Sequence, residues 1–95
     1  MLKVNAQQRY ATSARTATVV SELCRTLEIP LQQYVNRTDL PCGSTIGPIA
    51  STLLGVPTAD IGNPMLSMHS CREMCGVADA PLMERLLGAF FRLPA

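Results

Sequence analysis

The sequence predicts an α/β fold, and three observations carry that expectation. Apolar residues recur with a helical period in some stretches and a strand period in others, and the two kinds of stretch alternate along the chain. Breakers such as Pro30, Gly55 and Gly62-Asn63-Pro64 separate the stretches. Residues able to cap a helix, Ser13 and Asp79 among them, stand just ahead of the helical ones.

The elements follow in order. Leu2-Lys3-Val4 is a short apolar start that fits a strand within 1–5. Thr12 or Ser13 caps a helix over 14–28 whose apolar face is Val19, Val20, Leu23 and Leu27. Pro30 disfavours helix in the residue before it and ends that element. Tyr34 and Val35 mark a strand over 31–37. The Pro- and Gly-rich run Asp39 to Pro48 is a loop that leads into a helix over 45–54, stopped at Gly55. Val56 to Ile61 reads as a buried strand. Ser70 and Glu73 have the S-x-x-E spacing of a capping box and predict a short helix over 70–75. Asp79 and Pro81 open a last helix over 81–92, with Leu82, Leu86 and Phe90 on one face and Met83 and Leu87 beside it. The order β-α-β-α-β-α-α suggests a fragment of a three-layer α/β/α sheet.

At 95 residues the chain makes at most one domain, and a domain of this size buries only a little over ~60% of its unfolded surface. With 47% hydrophobic residues, the chain has more apolar side chains than three strands can cover, so exposed apolar patches awaiting a partner are expected. The chain reads like part of a larger core. A net charge of +1 gives no electrostatic footprint for nucleic acid. An aromatic share of 4% without Trp leaves little for stacking bases. No apolar run reaches the roughly 18 residues of a membrane span. The first residues lack the basic-then-apolar layout of a signal peptide. The expectation is a cytoplasmic protein with no nucleic-acid and no membrane partner.

Cys24, Cys42, Cys71 and Cys75 form no CxxC knuckle. His69-x-Cys71-x-x-x-Cys75 is the nearest approach to a structural zinc site, at a spacing common to none, and free thiols are the better reading.

His69 is the only histidine. It follows an apolar strand and a Gly-Asn-Pro break, where α/β sheets place ligand sites beyond a strand's carboxyl end. That setting makes it a candidate metal ligand. Catalytic zinc needs three protein ligands, and the carboxylates of Glu22, Glu28, Glu73, Asp79 and Glu84 have helix-surface or capping roles. Asp39 and Asp60 lie near strand ends without a short ligand spacing to His69. Lys3 and Tyr10 read, on their own, as a solvated lysine and a half-buried tyrosine. Gly43-Ser44-Thr45 at a helix start is a weak anion-binding signal.

Three strings carry more. Lys3-Val4-Asn5-x-x-Gln8-Arg9-Tyr10-Ala11-Thr12 comes first, then Asn36-Arg37-x-Asp39-x-Pro41-Cys42-Gly43-Ser44-Thr45-Ile46-Gly47-Pro48-Ile49, then Asp60-Ile61-Gly62-x-Pro64-x-Leu66-Ser67-Met68-His69-Ser70-x-Arg72-Glu73-Met74. In series they resemble the aspartyl aminopeptidase family over nearly the whole chain. The resemblance implies the C-terminal portion of the catalytic domain of a binuclear zinc exopeptidase. Such an enzyme is an α/β protein that removes N-terminal Asp or Glu from peptides and assembles as a large homo-oligomer. By resemblance, His69 is a zinc ligand and Lys3 and Tyr10 bind substrate. The other ligands to the two Zn(2+) ions, and the glutamate general base, belong to the family's upstream sequence, so no catalytic residue proper is expected in this chain. Cys71 stands where an aliphatic residue is usual, and Ser13 where Asn is usual. The alternative is a non-catalytic, truncated paralogue that acts as an assembly or binding partner of full-length subunits.

Overall fold

The structure, a computed structural model, describes residues 1–5, 10–35 and 46–94. Among the described residues, three helices and five short strands follow in the order β1 (Leu2–Val4), α1 (Ala14–Thr26), β2 (Gln33–Val35), α2 (Ile46–Leu54), β3 (Asp60–Ile61), β4 (Met65–Leu66), β5 (Met74–Cys75) and α3 (Asp79–Phe91). The α/β class is as the sequence predicts.

β1 is the middle strand of a three-stranded sheet ordered β2-β1-β3. It runs parallel to β2, with Lys3 opposite Tyr34, and α1 makes the crossover that a parallel pair requires. It runs antiparallel to β3, with Lys3 opposite Asp60 and Leu2 opposite Ile61. Met1 and Gly62 extend that ladder, the Gly62 N–H donating to the Met1 carbonyl at 3.0 Å. Successive side chains of a strand point to opposite faces. Leu2 therefore faces away from Lys3, and it is wholly buried, at 0% exposure.

Ser13 is the N-cap of α1: its Oγ accepts the Thr16 N–H at 3.2 Å, and Thr16 Oγ1 accepts the Ser13 N–H at 2.9 Å. This reciprocal box satisfies donors that the first turn leaves open. The far end closes two residues earlier than expected, at Thr26. Glu28 takes φ 55, and the Glu28 and Ile29 N–H groups return to the carbonyls of Arg25 and Cys24. That is a Schellman termination with Glu in place of the usual glycine. The Arg85 guanidinium of α3 donates to the Leu27 carbonyl at 3.0 Å, placing a cation at the negative end of α1.

The inward stripe of α1 is rotated from the expected one. Thr16 and Cys24 are its buried residues, whereas Val19 is 40% exposed. The partner is α3, whose Leu86 is buried. Helices and sheet do not close fully: an apolar cavity of about 400 Å³ remains among Val20, Leu23, Ile61, Leu86 and Phe90.

Three expectations are corrected. The helix over 70–75 does not form; β4 and β5 pair there as an antiparallel hairpin, with Leu66 opposite Met74 and Met65 opposite Cys75. The strand over 56–61 is confined to Asp60–Ile61, preceded by an isolated parallel bridge between Thr12 and Thr58. Pro57 cannot donate to a ladder, and Val56 beside it is exposed. The last helix begins at Asp79, two residues before the expected start. α2 ends as predicted at Gly55, which has φ 64.

Among the described cysteines, Cys24 is buried and Cys71 and Cys75 are exposed. Burial pushes the Cys24 thiol up from its ordinary range. The stability this group contributes is full below the unfolded thiol value of about 8.5 and is lost as pH rises through the elevated folded value. Mapping of alkylated peptides under native conditions is expected to find Cys71 and Cys75 modified well before Cys24, with Cys24 catching up on unfolding. Equal native rates for Cys24 and Cys75 would contradict the burial.

Candidate functional site

The site begins with the alternation of β1. Because Lys3 lies opposite Tyr34 on one side and Asp60 on the other, these three residues share one face of the sheet. The chain is back beside that face at Tyr10, Ala11 and Thr12. Tyr10 is buried, at 4% exposure, and the Lys3 Nζ lies 5.6 Å from the centre of its ring, within cation–π range. Tyr34 meets Tyr10 edge to face, with centroids 6.3 Å apart. The ammonium thus stands against the Tyr10 ring, which Tyr34 of β2 backs edge-on.

Asp60 fixes that returning segment. Its Oδ2 accepts the Ala11 N–H at 2.6 Å, and its own N–H donates to Thr12 Oγ1 at 2.8 Å. The same carboxylate lies against the first turn of α2, where a Cβ added to Gly47 would fall 2.1 Å from Asp60 Oδ1. Only glycine leaves room for that approach, and a carboxylate there complements the positive end of the helix. Gly62 has a similar relation to Lys3: an added Cβ would sit 3.3 Å from Lys3 Cε.

His69 lies in the 67–73 loop of the β4–β5 hairpin and is exposed. Its φ is 71, and Ser67 in the same loop has φ 56. Positive φ is uncommon outside glycine, although histidine tolerates it better than most residues. The Ser70 N–H donates to the Ser67 carbonyl at 3.0 Å, and the Arg72 N–H donates to Ser70 Oγ at 3.1 Å. The His69 N–H donates to the Glu73 Oε1 carboxylate oxygen. Ser70 and Glu73 are therefore loop-fastening residues of a hairpin, not the caps of a helix.

The structure brings Lys3 and Tyr10 together and places His69 on the other sheet. Asp39, Cys42 and Gly43-Ser44-Thr45 lie outside the described residues. Sequence reasoning did not join Asp60 and Tyr34 to Lys3. The joining is a matter of strand register, and no local pattern in the chain specifies which strand lies beside β1.

Residues 1–91 match the model of the aminopeptidase I zinc metalloprotease (M18) family. The chain belongs to that family. It is similar to a probable M18 family aminopeptidase 2 of Pseudomonas fluorescens (strain SBW25), with 50% identity over 96% of this chain and 21% of the relative. It is similar also to aspartyl aminopeptidase 1 of Schizosaccharomyces pombe, with 47% identity over 97% of this chain and 20% of the relative. Among solved structures, a chain in the cryo-EM structure of the Ape4 and Nbr1 complex superposes with TM-score 0.89 at 48% identity, over 95% of this chain and 17% of that one. The crystal structure of prApe1 gives TM-score 0.89 at 31% identity, over 96% and 19%. This α/β chain therefore spans about a fifth of the length of the relatives it matches.

Family membership implies zinc, and the donor chemistry of the chain can be set against it. His69 offers one exposed imidazole, a suitable zinc donor on a loop fastened by hydrogen bonds. Among the described residues no three His, Cys, Asp or Glu side chains converge. The residues present fit one ligand position, and a catalytic zinc site needs two more protein ligands from elsewhere.

Proposed function

We propose that this chain is the C-terminal portion of the catalytic domain of a zinc aminopeptidase acting on peptides with an acidic N-terminal residue. The observation that carries the proposal is Lys3 packed on the Tyr10 ring. A compact ammonium with one flank against aromatic carbon is a point charge suited to a substrate carboxylate. Tyr10 orients the lysine stem, and Asp60 holds the segment that carries Tyr10. His69 supplies one ligand. Zinc, when bound, supplies Lewis-acid polarisation of a scissile carbonyl and a more acidic water. The complete site holds two zinc ions, and its remaining ligands and general base come from the rest of a family polypeptide.

The proposal extends to a homo-oligomer in the cytoplasm. Unbridged Cys24, Cys71 and Cys75 suit a reducing compartment. Coverage by further protein is supported by α2, on which Ile46, Ile49, Leu53 and Leu54 are all more than half exposed. That same surface favours the second reading, a non-catalytic paralogue that assembles with full-length subunits.

Zinc content and peptidase activity test the readings together. The isolated 95-residue chain is expected to lose zinc on dialysis and to cleave nothing. When the chain is joined to the upstream four-fifths of a family polypeptide, zinc retention and release of N-terminal Asp are expected. A joined protein that folds and holds zinc without cleaving any peptide would favour the non-catalytic reading. Tight stoichiometric zinc on the isolated chain would overturn the ligand count and restore the site of His69, Cys71 and Cys75.

A further inference from the structure

Glu73 has a role that the spacing of S-x-x-E conceals. The 67–73 loop is closed at its base by the pair Leu66 and Met74, so Glu73 stands at the last position before the ladder resumes. Its carboxylate reaches across the loop to the backbone N–H of His69. His69 is held with φ 71, a conformation that an unrestrained loop leaves readily because L side chains disfavour it. The direction in which an imidazole leaves the main chain follows from φ. An anion on the N–H of the same residue is thus a direct means of fixing that direction, since hydrogen bonds to charged acceptors are stronger than neutral ones. Ser70 fastens a different part of the loop, through the Arg72 N–H.

We propose that Glu73 is a positioning residue for His69, its carboxylate holding the His69 backbone so that the imidazole is presented in one orientation. The proposal rests on the reading of His69 as a metal ligand, and it goes beyond that reading by assigning the residue that aims it. Outer-shell partners of metal ligands are ordinarily sought on the second ring nitrogen; here the partner acts through the main chain.

The test compares Glu73→Ala, Glu73→Gln and Ser70→Ala. In the 15N-labelled 95-residue chain, the parent is expected to show a protected His69 amide and the strong intraresidue contact between amide and α protons that marks positive φ. Glu73→Ala should raise exchange at that amide about tenfold and weaken the contact, as the loss of one charged hydrogen bond implies. Glu73→Gln, which keeps an oxygen acceptor at the same reach, should restore much of both. Ser70→Ala loosens the loop without touching the His69 N–H and should leave both near the parent.

The second measurement uses Co(2+) as the probe in the joined polypeptide, where d–d bands report ligand geometry. Glu73→Ala should alter the bands and weaken metal retention on the order of 10- to 100-fold, the range for outer-shell partners, with Glu73→Gln close to the parent. If Glu73→Ala leaves amide and bands unchanged, or if Ser70→Ala changes them equally, the positioning role is wrong. If instead His69→Ala leaves Co(2+) bound with unchanged bands, the ligand reading fails by itself, and the amide measurements still decide whether Glu73 holds His69.

Discussion

In a joined polypeptide carrying this chain, His69→Ala is expected to lower turnover on every substrate alike, by more than about 100-fold. Outer-shell partners alone can cost up to about 100-fold in affinity or activity, and removal of a ligand should exceed that. The loss should be uniform because it strikes the metal, whose chemistry is shared by all substrates, and leaves the pocket that tells them apart. Structure strengthens the contrast. His69 stands on the β4–β5 hairpin, whereas Lys3 and Tyr10 belong to the β2-β1-β3 sheet and the segment beside it. Zinc content and kcat should therefore fall together for Asp and Ala substrates, while the preference between them is kept in whatever activity remains. A variant that retained full zinc and normal kcat would remove His69 from the site.

Lys3→Ala is expected to act in the opposite manner. For a substrate with N-terminal Asp, kcat/KM should fall by about 1.5–3 kcal/mol, the worth of a hydrogen bond to a charged group. That is roughly 10- to 150-fold. A neutral substrate lacks the carboxylate and should lose far less, so the preference for Asp over Ala should collapse while zinc stays bound. The Tyr10 ring adds a control. Since Lys3 lies over that buried ring, removing the side chain also removes packing, and a partly desolvated cation–π contact is worth about 1–2 kcal/mol. Lys3→Met keeps the stem against Tyr10 and discards the charge. If charge is what matters, Lys3→Met should lose the Asp preference as fully as Lys3→Ala. If Lys3→Met behaves like the parent, or if both substrates suffer equally, Lys3 is a structural residue.

Local signals were legible wherever one short segment contained both the cause and its effect. Ser13 and Thr16 meet within the first turn of α1, and Gly55 ends α2 by the freedom of its own backbone. The same reasoning failed at Ser70 and Glu73. Their spacing serves equally for a capping box and for a loop in which Glu73 binds the N–H of residue i−4. Pairing of Leu66 with Met74 decided between them, and that pairing lies outside the motif. The strand over 56–61 failed similarly: apolar composition suggested burial, but Pro57 and the sheet's short partner confined the ladder to two residues. On α1, helical spacing gave the right period with the wrong centre. Which side of the helix turns inward depends on where α3 and the sheet lie, and Cys24 is buried there while Val19 stays at the open edge of the cavity beside α3.

The sequence by itself determined the α/β class, the helices at 14–26 and 79–91 to within two residues, and the strings that resemble the family. Each depends on near-neighbour periodicity, capping or residue identity. Only the tertiary structure decided that Lys3, Tyr10, Tyr34 and Asp60 form one cluster and that His69 belongs to a hairpin. Residues 3 and 60 become neighbours through the order β2-β1-β3, and that order is set by which apolar faces can be buried together. A strand's own residues fix which side chains share a face with one another, because the alternation is local. They do not fix which strand will lie alongside, because pairing is chosen by the free energy of the whole packed sheet.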